Sequence, residues 1–139
     1  MPDRLKDKVA IVTGAGSIGV GWGNGKAVAT LFAREGAEVL CADINLKSAK
    51  ETSNLIKDEG GDASVFEVDV SDGEQVLGMV ETTMKTYGRI DILHNNVGIA
   101  EIGGPVDASE ESWDRVHDVN LKSAFLPLQT CYPRHAGTA

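Results

Sequence analysis

The chain has 139 residues, of which 42% are hydrophobic and 24% charged, which is enough for one globular domain with a buried core. A formal net charge of −8 argues against a surface that binds nucleic acid or an anionic membrane. No apolar stretch approaches the roughly 20 residues of a membrane-spanning helix, and the first residues lack the apolar core of a signal peptide. We therefore expect a cytoplasmic protein without a membrane partner.

Four apolar runs alternate with helical patterns along the chain. Strands are predicted at Val9–Thr13, Ala37–Asp43, Ser64–Val70 and Ile90–Asn96, and helices at 26–35, 45–58, 72–87 and 109–128. Apolar strands that alternate with helices predict an α/β fold, in which a parallel sheet is covered on both faces. With right-handed crossovers, this is a Rossmann-like doubly wound sheet with strand order 3-2-1-4.

Local signals refine two of the helices. The helix over 72–87 follows Ser71, a good N-cap, and Glu74 lies three positions on, as in a capping box. Pro127 lies inside the last helix and predicts a kink, since its ring clashes with the carbonyl of Ser123.

The turn from Gly14 to Gly25 is the most informative segment, because six of its twelve residues are glycine. It lies between the first strand and the first helix, where bare amide groups and the helix dipole favour phosphate. The segment is not a nucleotide-hydrolase P-loop, because Val20 and Ala27 occupy positions that require glycine and a hydroxyl residue.

An acidic residue, Asp43, ends the second strand 18 residues beyond Gly25. A carboxylate about 20 residues after the glycines is typical of a Rossmann site, where it accepts hydrogen bonds from the adenosine ribose. It would repel a 2′-phosphate, so Asp43 favours NAD over NADP. The alternative is that Asp43 is the N-cap of the helix that begins near Asn45.

These motifs resemble those of the short-chain dehydrogenase/reductase family over essentially the whole chain. The matching segments are Thr13-Gly14-Ala15-Gly16, Asp69-Val70, Asn95-Asn96-Val97-Gly98 and Val119-Asn120-Leu121. The resemblance implies that Asp69 and Val70 meet adenine, that Asn96 and Gly98 line the cofactor cleft, and that Asn120 belongs to a catalytic Asn–Ser–Tyr–Lys tetrad.

The glycine turn departs from the family pattern T-G-x-x-x-G-x-G, since Ile18 stands where the second glycine is expected. If the pattern is aligned from the start of the helix instead, Gly23-Asn24-Gly25 matches its final G-x-G. The turn then contains five residues more than the family pattern. We expect Gly14 and the segment Ser17, Ile18 and Gly19 to contact the diphosphate. We expect Trp22 to fold as a lid or plug that serves packing more than recognition.

A second departure is that no Y-x-x-x-K motif occurs, and the sequence ends 19 residues beyond Asn120. Under the resemblance, residues 1–139 are a single NAD(P)-binding Rossmann domain, incomplete at its C-terminus after the fourth strand and the helix that follows it. The expected function is hydride transfer between NAD and an alcohol or ketone in a complete relative. A non-catalytic dinucleotide-binding or interaction module is the alternative.

The predicted fold has a consequence for assembly. A fourth strand at the edge of the sheet, next to incompletely covered helices, predicts a homo-oligomer or dependence on a partner.

The two cysteines, Cys41 and Cys131, and the three histidines have no metal-binding spacing, so no metal is expected. Cys41 lies in an apolar run and should be a buried thiol.

Overall fold

A computed structural model describes residues 3–135. In chain order the elements are β1 (Val9–Thr13), α1 (Asn24–Arg34), β2 (Glu38–Asp43), α2 (Leu46–Asp58), β3 (Ala63–Glu67), α3 (Gly73–Tyr87), β4 (Ile92–His94), α4 (Glu110–His117), a π-helical turn (Asp118–Lys122), α5 (Ser123–Cys131) and a 3-10 turn (Tyr132–Arg134).

The four strands form one parallel sheet with the order β3-β2-β1-β4, as the sequence predicts. All five residues of β1 are fully buried, since it is a central strand covered on both faces. Alternate residues of a strand face opposite sides of a sheet. Ile11 therefore packs in the core on the α3 and α5 side, and its neighbour Val12 packs in the core on the α1 and α2 side.

The third and fourth strands are shorter than predicted. Glu67, the last residue of β3, pairs with Asp43, the last residue of β2, so the ladder ends before Val70. Among residues 3–135, β4 forms a ladder with β1 only, and its register stops at Val12 and His94.

The predicted cap of α3 was wrong. Asp72 is the N-cap, and its carboxylate accepts hydrogen bonds from the amides of Glu74 at 3.0 Å and Gln75 at 3.3 Å. The Ser71 hydroxyl instead donates to Asp69 Oδ1 at 2.6 Å. A carboxylate is the better cap here, because it can accept from two amides at the positive end of the helix dipole.

The last predicted helix is broken into α4 and α5 by the π-helical turn Asp118–Lys122. Pro127 lies within α5 and cannot donate to the carbonyl of Ser123, but the break lies one turn earlier than the predicted kink. Isolated π-helical turns often occur at functional sites. Here the wider turn contains Asn120.

An apolar stripe on α5 and the turns that flank it is open to solvent. Leu121, Phe125, Leu128 and Tyr132, which follow one another at helical spacing, are each at least half exposed. α4 buries no residue at all. Within residues 3–135, no helix has both the length and the apolar character needed to cross a membrane.

Candidate cofactor-binding site

The candidate site lies at the carboxyl edge of the sheet, where the loops that follow all four parallel strands meet. This edge is the usual ligand position in open α/β sheets, because the helices that follow the strands point their N-termini toward it. Among the predicted site residues, Gly14, Asp43, Asp69 and Asn96 each follow or end a different strand.

The glycine turn brings α1 close to β1. Gly14 has a φ of 62°, which favours glycine, and a Cβ on Gly25 would collide with the Gly14 carbonyl oxygen. Asn96 fixes this contact from β4, since its side-chain Nδ2 donates to the Gly14 carbonyl at 3.1 Å. Its main-chain amide also donates to Thr13 Oγ1 at 3.1 Å. Asn96 therefore connects the ends of β1 and β4.

The five additional residues, 18–22, project outward from the turn as a loop. The Ser17 hydroxyl closes the base of this loop, since it donates to the Gly21 carbonyl at 2.9 Å and accepts from the Gly23 amide at 3.1 Å. Ile18 is fully exposed at the surface of the loop. Trp22 is 59% exposed, so the packing role predicted for it is not observed; the Lys26 ammonium lies 5.2 Å from its ring centroid.

The N-terminus of α1 carries open amide groups. Its N-cap is Gly23, which has no side chain to accept from the first turn. The amides of Asn24, Gly25 and Lys26 have no partner within a helix, because no turn precedes them. A helix that begins in this way has a set of donors and a positive dipole end available to an anion.

Asp43 faces this turn from β2. Its Oδ2 accepts from the Gly16 amide at 2.9 Å, and its Oδ1 accepts from the Asn45 amide at 2.9 Å. The N-cap of α2 is Asn45, whose side chain accepts from the Ser48 amide, so the capping alternative for Asp43 is wrong. Each carboxylate oxygen keeps a second lone pair that can accept from a ligand hydroxyl.

Ser48 contacts the glycine turn, which the sequence did not predict. Its hydroxyl accepts from the Ser17 amide at 2.7 Å and donates to the Ser17 carbonyl at 2.9 Å. This contact attaches the glycine turn to α2, and a Cβ on Gly16 would collide with the Ser48 hydroxyl. A serine in the first turn of a helix carries no signal for such a long-range contact.

The Asp69-Val70 segment follows β3 on the same edge. Val70 is buried in the core, and Asp69 Oδ1 accepts from both the amide and the hydroxyl of Ser71. The side chain of Val70 therefore faces the protein interior, whereas Asp69 is half-buried at this edge and its amide donates to Gln75 Oε1 at 2.9 Å.

Asn120 and Gly98 meet across the loop that follows β4. The Ile99 amide donates to Asn120 Oδ1 at 2.7 Å, and Asn120 Nδ2 donates to the Ile99 carbonyl at 2.9 Å. A Cβ on Gly98 would lie 3.6 Å from Asn120 Oδ1. Asn120 thus fixes the loop after β4 against the π-helical turn, and it uses one donor and one acceptor of its amide to do so.

The cysteines lie away from this edge and are buried, as predicted for Cys41. Burial raises the pKa of Cys41 to about 12 and that of Cys131 to about 11, so both remain thiols at neutral pH. Within the described range 3–135, no three His, Cys, Asp or Glu side chains are grouped closely enough to hold a metal ion.

Known proteins with a similar sequence and fold identify the family of this chain. A family model described as enoyl-(acyl carrier protein) reductase matches residues 19–138. The chain belongs to the short-chain dehydrogenase/reductase family. A crystal structure assigned to a short-chain dehydrogenase/reductase of Burkholderia xenovorans superposes with a TM-score of 0.90 at 44% identity, covering 94% of this chain and 52% of that one.

Two curated members of the short-chain dehydrogenase/reductase family are similar over most of this chain. The 3-oxoacyl-(acyl-carrier-protein) reductase of Thermotoga maritima is 41% identical over 94% of this chain and 51% of its own length. The cyclohexanol dehydrogenase of an Acinetobacter species is 36% identical over 92% of this chain and 49% of its own length. The chain thus spans about half the length of these relatives, which are both oxidoreductases.

Proposed function

We propose that residues 1–139 form a single NAD-binding domain of an oxidoreductase that transfers hydride between the cofactor and an alcohol or ketone. The supporting observation is the set of open amides at the N-terminus of α1, on the same edge of the sheet as Asp43. Nicotinamide cofactors are used across the family to which the chain belongs, and the donors and acceptors at this edge fit the diphosphate and the ribose of such a molecule.

The diphosphate would bind at the start of α1. Gly23 as N-cap provides no side chain to accept from the amide of Asn24, which is exposed, and the absence of that side chain allows a phosphate to approach the backbone closely. Within the predicted segment Ser17–Gly19, the Ser17 amide already donates to Ser48. The Gly23 amide likewise donates to the Ser17 hydroxyl. We therefore assign the principal contacts to Gly14 and the Asn24 amide, and a secondary role to Ile18 and Gly19.

The adenosine half would lie across the ends of β2 and β3. Asp43 accepts from the ribose hydroxyls while the Gly16 and Asn45 amides hold its carboxylate in place. Since this carboxylate would repel a 2′-phosphate, we propose NAD and not NADP as the cofactor. Asp69 and the main chain of Val70 would contact adenine.

The nicotinamide half would face the loop after β4, which Asn96, Gly98 and Asn120 define. When bound, NAD would supply the hydride acceptor, whereas Asn96 and Asn120 hold the loop in place through their hydrogen bonds. The Asn120 amide keeps one hydrogen and one lone pair beyond those that bind Ile99, and these can order a water molecule at the site. The 139 residues contain no Y-x-x-x-K motif, so we do not expect efficient proton transfer from them.

A non-catalytic dinucleotide-binding module is the second candidate, and it is supported by the N-terminus of α1 and by Asp43, which are groups that can bind a dinucleotide without any reaction. Both candidates bind the dinucleotide, so binding does not separate them. Turnover of a secondary alcohol such as cyclohexanol by the purified chain, followed by NADH absorbance, would exclude the module.

We further propose that the exposed stripe on α5 (Leu121, Phe125, Leu128 and Tyr132) is an interface with a second copy of the chain. The stripe supports this because contiguous exposed apolar side chains at helical spacing are typical of interaction surfaces. Light scattering should give a dimer or larger assembly, and Phe125→Asp should shift it to a monomer.

Isothermal titration of the Asp43→Ala variant tests the cofactor assignment. Hydrogen bonds to a charged acceptor are worth about 1.5–3 kcal/mol, so NAD affinity should fall roughly 10- to 100-fold while NADP is no longer discriminated against. Asp58→Ala, an exposed substitution at the other end of α2, is the matched control and should leave both affinities unchanged. An unchanged NAD preference in Asp43→Ala would refute the role of this carboxylate. A folded wild-type chain that gives no heat with NAD would refute the proposed function.

A further inference from the structure

The loop 18–22, here called the flap, presents apolar side chains to solvent beside the proposed cofactor cleft. Ile18 and Val20 are fully exposed, and glycines at 19 and 21 separate them from one another and from Trp22. A Cβ on Gly19 or Gly21 would meet no atom within 4 Å. The flap therefore contributes little to the core, and its glycine positions allow the backbone to rotate freely.

The two ends of the flap are held together, so the flap can move without disturbing the turn below it. A Cβ on Gly23 would lie 3.7 Å from the Ser17 Cα, which places the two ends side by side. Ser17 is itself fixed to α2 through Ser48. The base of the flap is thus held in place, whereas Ile18 and Val20 at its outer end are fully exposed.

A cleft of about 420 Å³ separates the flap from the first turns of α1 and α2. Its walls include Gly19 and Val20 of the flap, together with Lys26, Lys47 and Glu51. Within residues 3–135 neither lysine forms an ion pair. In a chain with a net charge of −8, two unpaired lysines in one cleft next to an open helix N-terminus complement a phosphorylated ligand.

We propose that the flap closes over the adenosine diphosphate half of the bound dinucleotide, with Ile18 and Val20 covering the ribose and Lys26 contacting a phosphate. Trp22 is a positioning residue, because its ring holds the Lys26 ammonium near the N-terminus of α1. This inference rests on the proposed cofactor site and adds to it a wall that the short form of the turn would lack.

Deletion of residues 18–22 tests the proposal directly. It joins Ser17 to Gly23 and converts the turn to Thr-Gly-Ala-Gly-Ser-Gly-Asn-Gly, the short family pattern. We expect the deletion to weaken ADP and NAD binding at least fivefold by titration calorimetry, with an unchanged melting temperature. The double variant Ile18→Ser with Val20→Ser keeps the length of the flap, and we expect a loss in the same direction. Since both side chains are exposed, this variant still carries the test if the deletion does not fold.

Trp22 also reports on closure. The chain has two tryptophans, so Trp113→Phe leaves Trp22 as the single tryptophan, whose emission can be excited selectively over that of the two tyrosines. Saturating ADP should reduce acrylamide quenching of Trp22 at least twofold, and unchanged quenching would overturn closure.

The binding outcomes separate the two proposals. If the deletion and the double variant bind NAD as tightly as the parent chain does, the flap proposal is overturned and the proposed function stands. If the folded parent chain binds neither NAD nor ADP, both proposals fall.

Discussion

Replacement of Gly25 by alanine tests whether the close approach of α1 to the glycine turn is a structural requirement. The added methyl group would collide with the Gly14 carbonyl oxygen and lie 2.7 Å from Asn96 Nδ2. Overpacking of this kind costs about 1–3 kcal/mol, and loss of the hydrogen bond between Asn96 and Gly14 costs about 1 kcal/mol more. The higher helix propensity of alanine offsets about 1 kcal/mol of this loss in stability. We therefore expect the free energy of unfolding to fall by about 1–3 kcal/mol.

Gly73→Ala is the matched control, because Gly73 also lies in the first turn of a helix and a Cβ there would meet no atom within 4 Å. This control should be neutral or stabilising by up to about 1 kcal/mol. At roughly 4 °C per kcal/mol for a chain of this size, thermal unfolding should show a loss of about 4–12 °C for Gly25→Ala. Equal melting temperatures for the two variants would refute the argument from close contact. If Gly25→Ala folds, its NAD affinity should also fall, since the amides of α1 are displaced.

Three further results are expected. The hydrogen-bonded guanidinium of Arg4 lowers the pKa of the Glu35 carboxyl below its ordinary value of 4.5, so the stabilisation is complete above that value and is lost as the pH falls through the folded-state pKa. Arg4→Ala should therefore lower the melting temperature at neutral pH and not at strongly acidic pH; an equal loss at both would contradict this. Cys41 and Cys131 should resist a thiol reagent at pH 8 in the native chain and react in urea, and native labelling would show that the thiols are not buried. Asn120→Ala removes both hydrogen bonds to the loop after β4 and should speed amide exchange in that loop without changing exchange in β1; protection equal to wild type would show that the loop is held otherwise.

Much of the fold could be predicted because its signals are local. The apolar run Val9–Thr13, the glycines after it and the polar helices between strands are sufficient to predict a parallel sheet with the order 3-2-1-4. The ends of β1 and β2 agree with the prediction, whereas the end of β3 could not be predicted, because β3 stops where its neighbour β2 stops and not where its own apolar run ends. Two adjacent residues, Ser71 and Asp72, could each have capped α3. The Ser71 hydroxyl donates to Asp69 instead, and Asp72 is the N-cap.

The sequence by itself determined which residues reach the carboxyl edge of the sheet, because strand alternation and chain order place the segments after each strand there. Only the tertiary structure decided which amides of the glycine turn are engaged, since Ser48, 31 positions from Ser17, accepts from the amide of Ser17, and Asp43 accepts from that of Gly16. The physical reason is that periodicity and propensity act over a few neighbours, whereas a hydrogen bond between α2 and the glycine turn depends on how the whole sheet brings the two segments together.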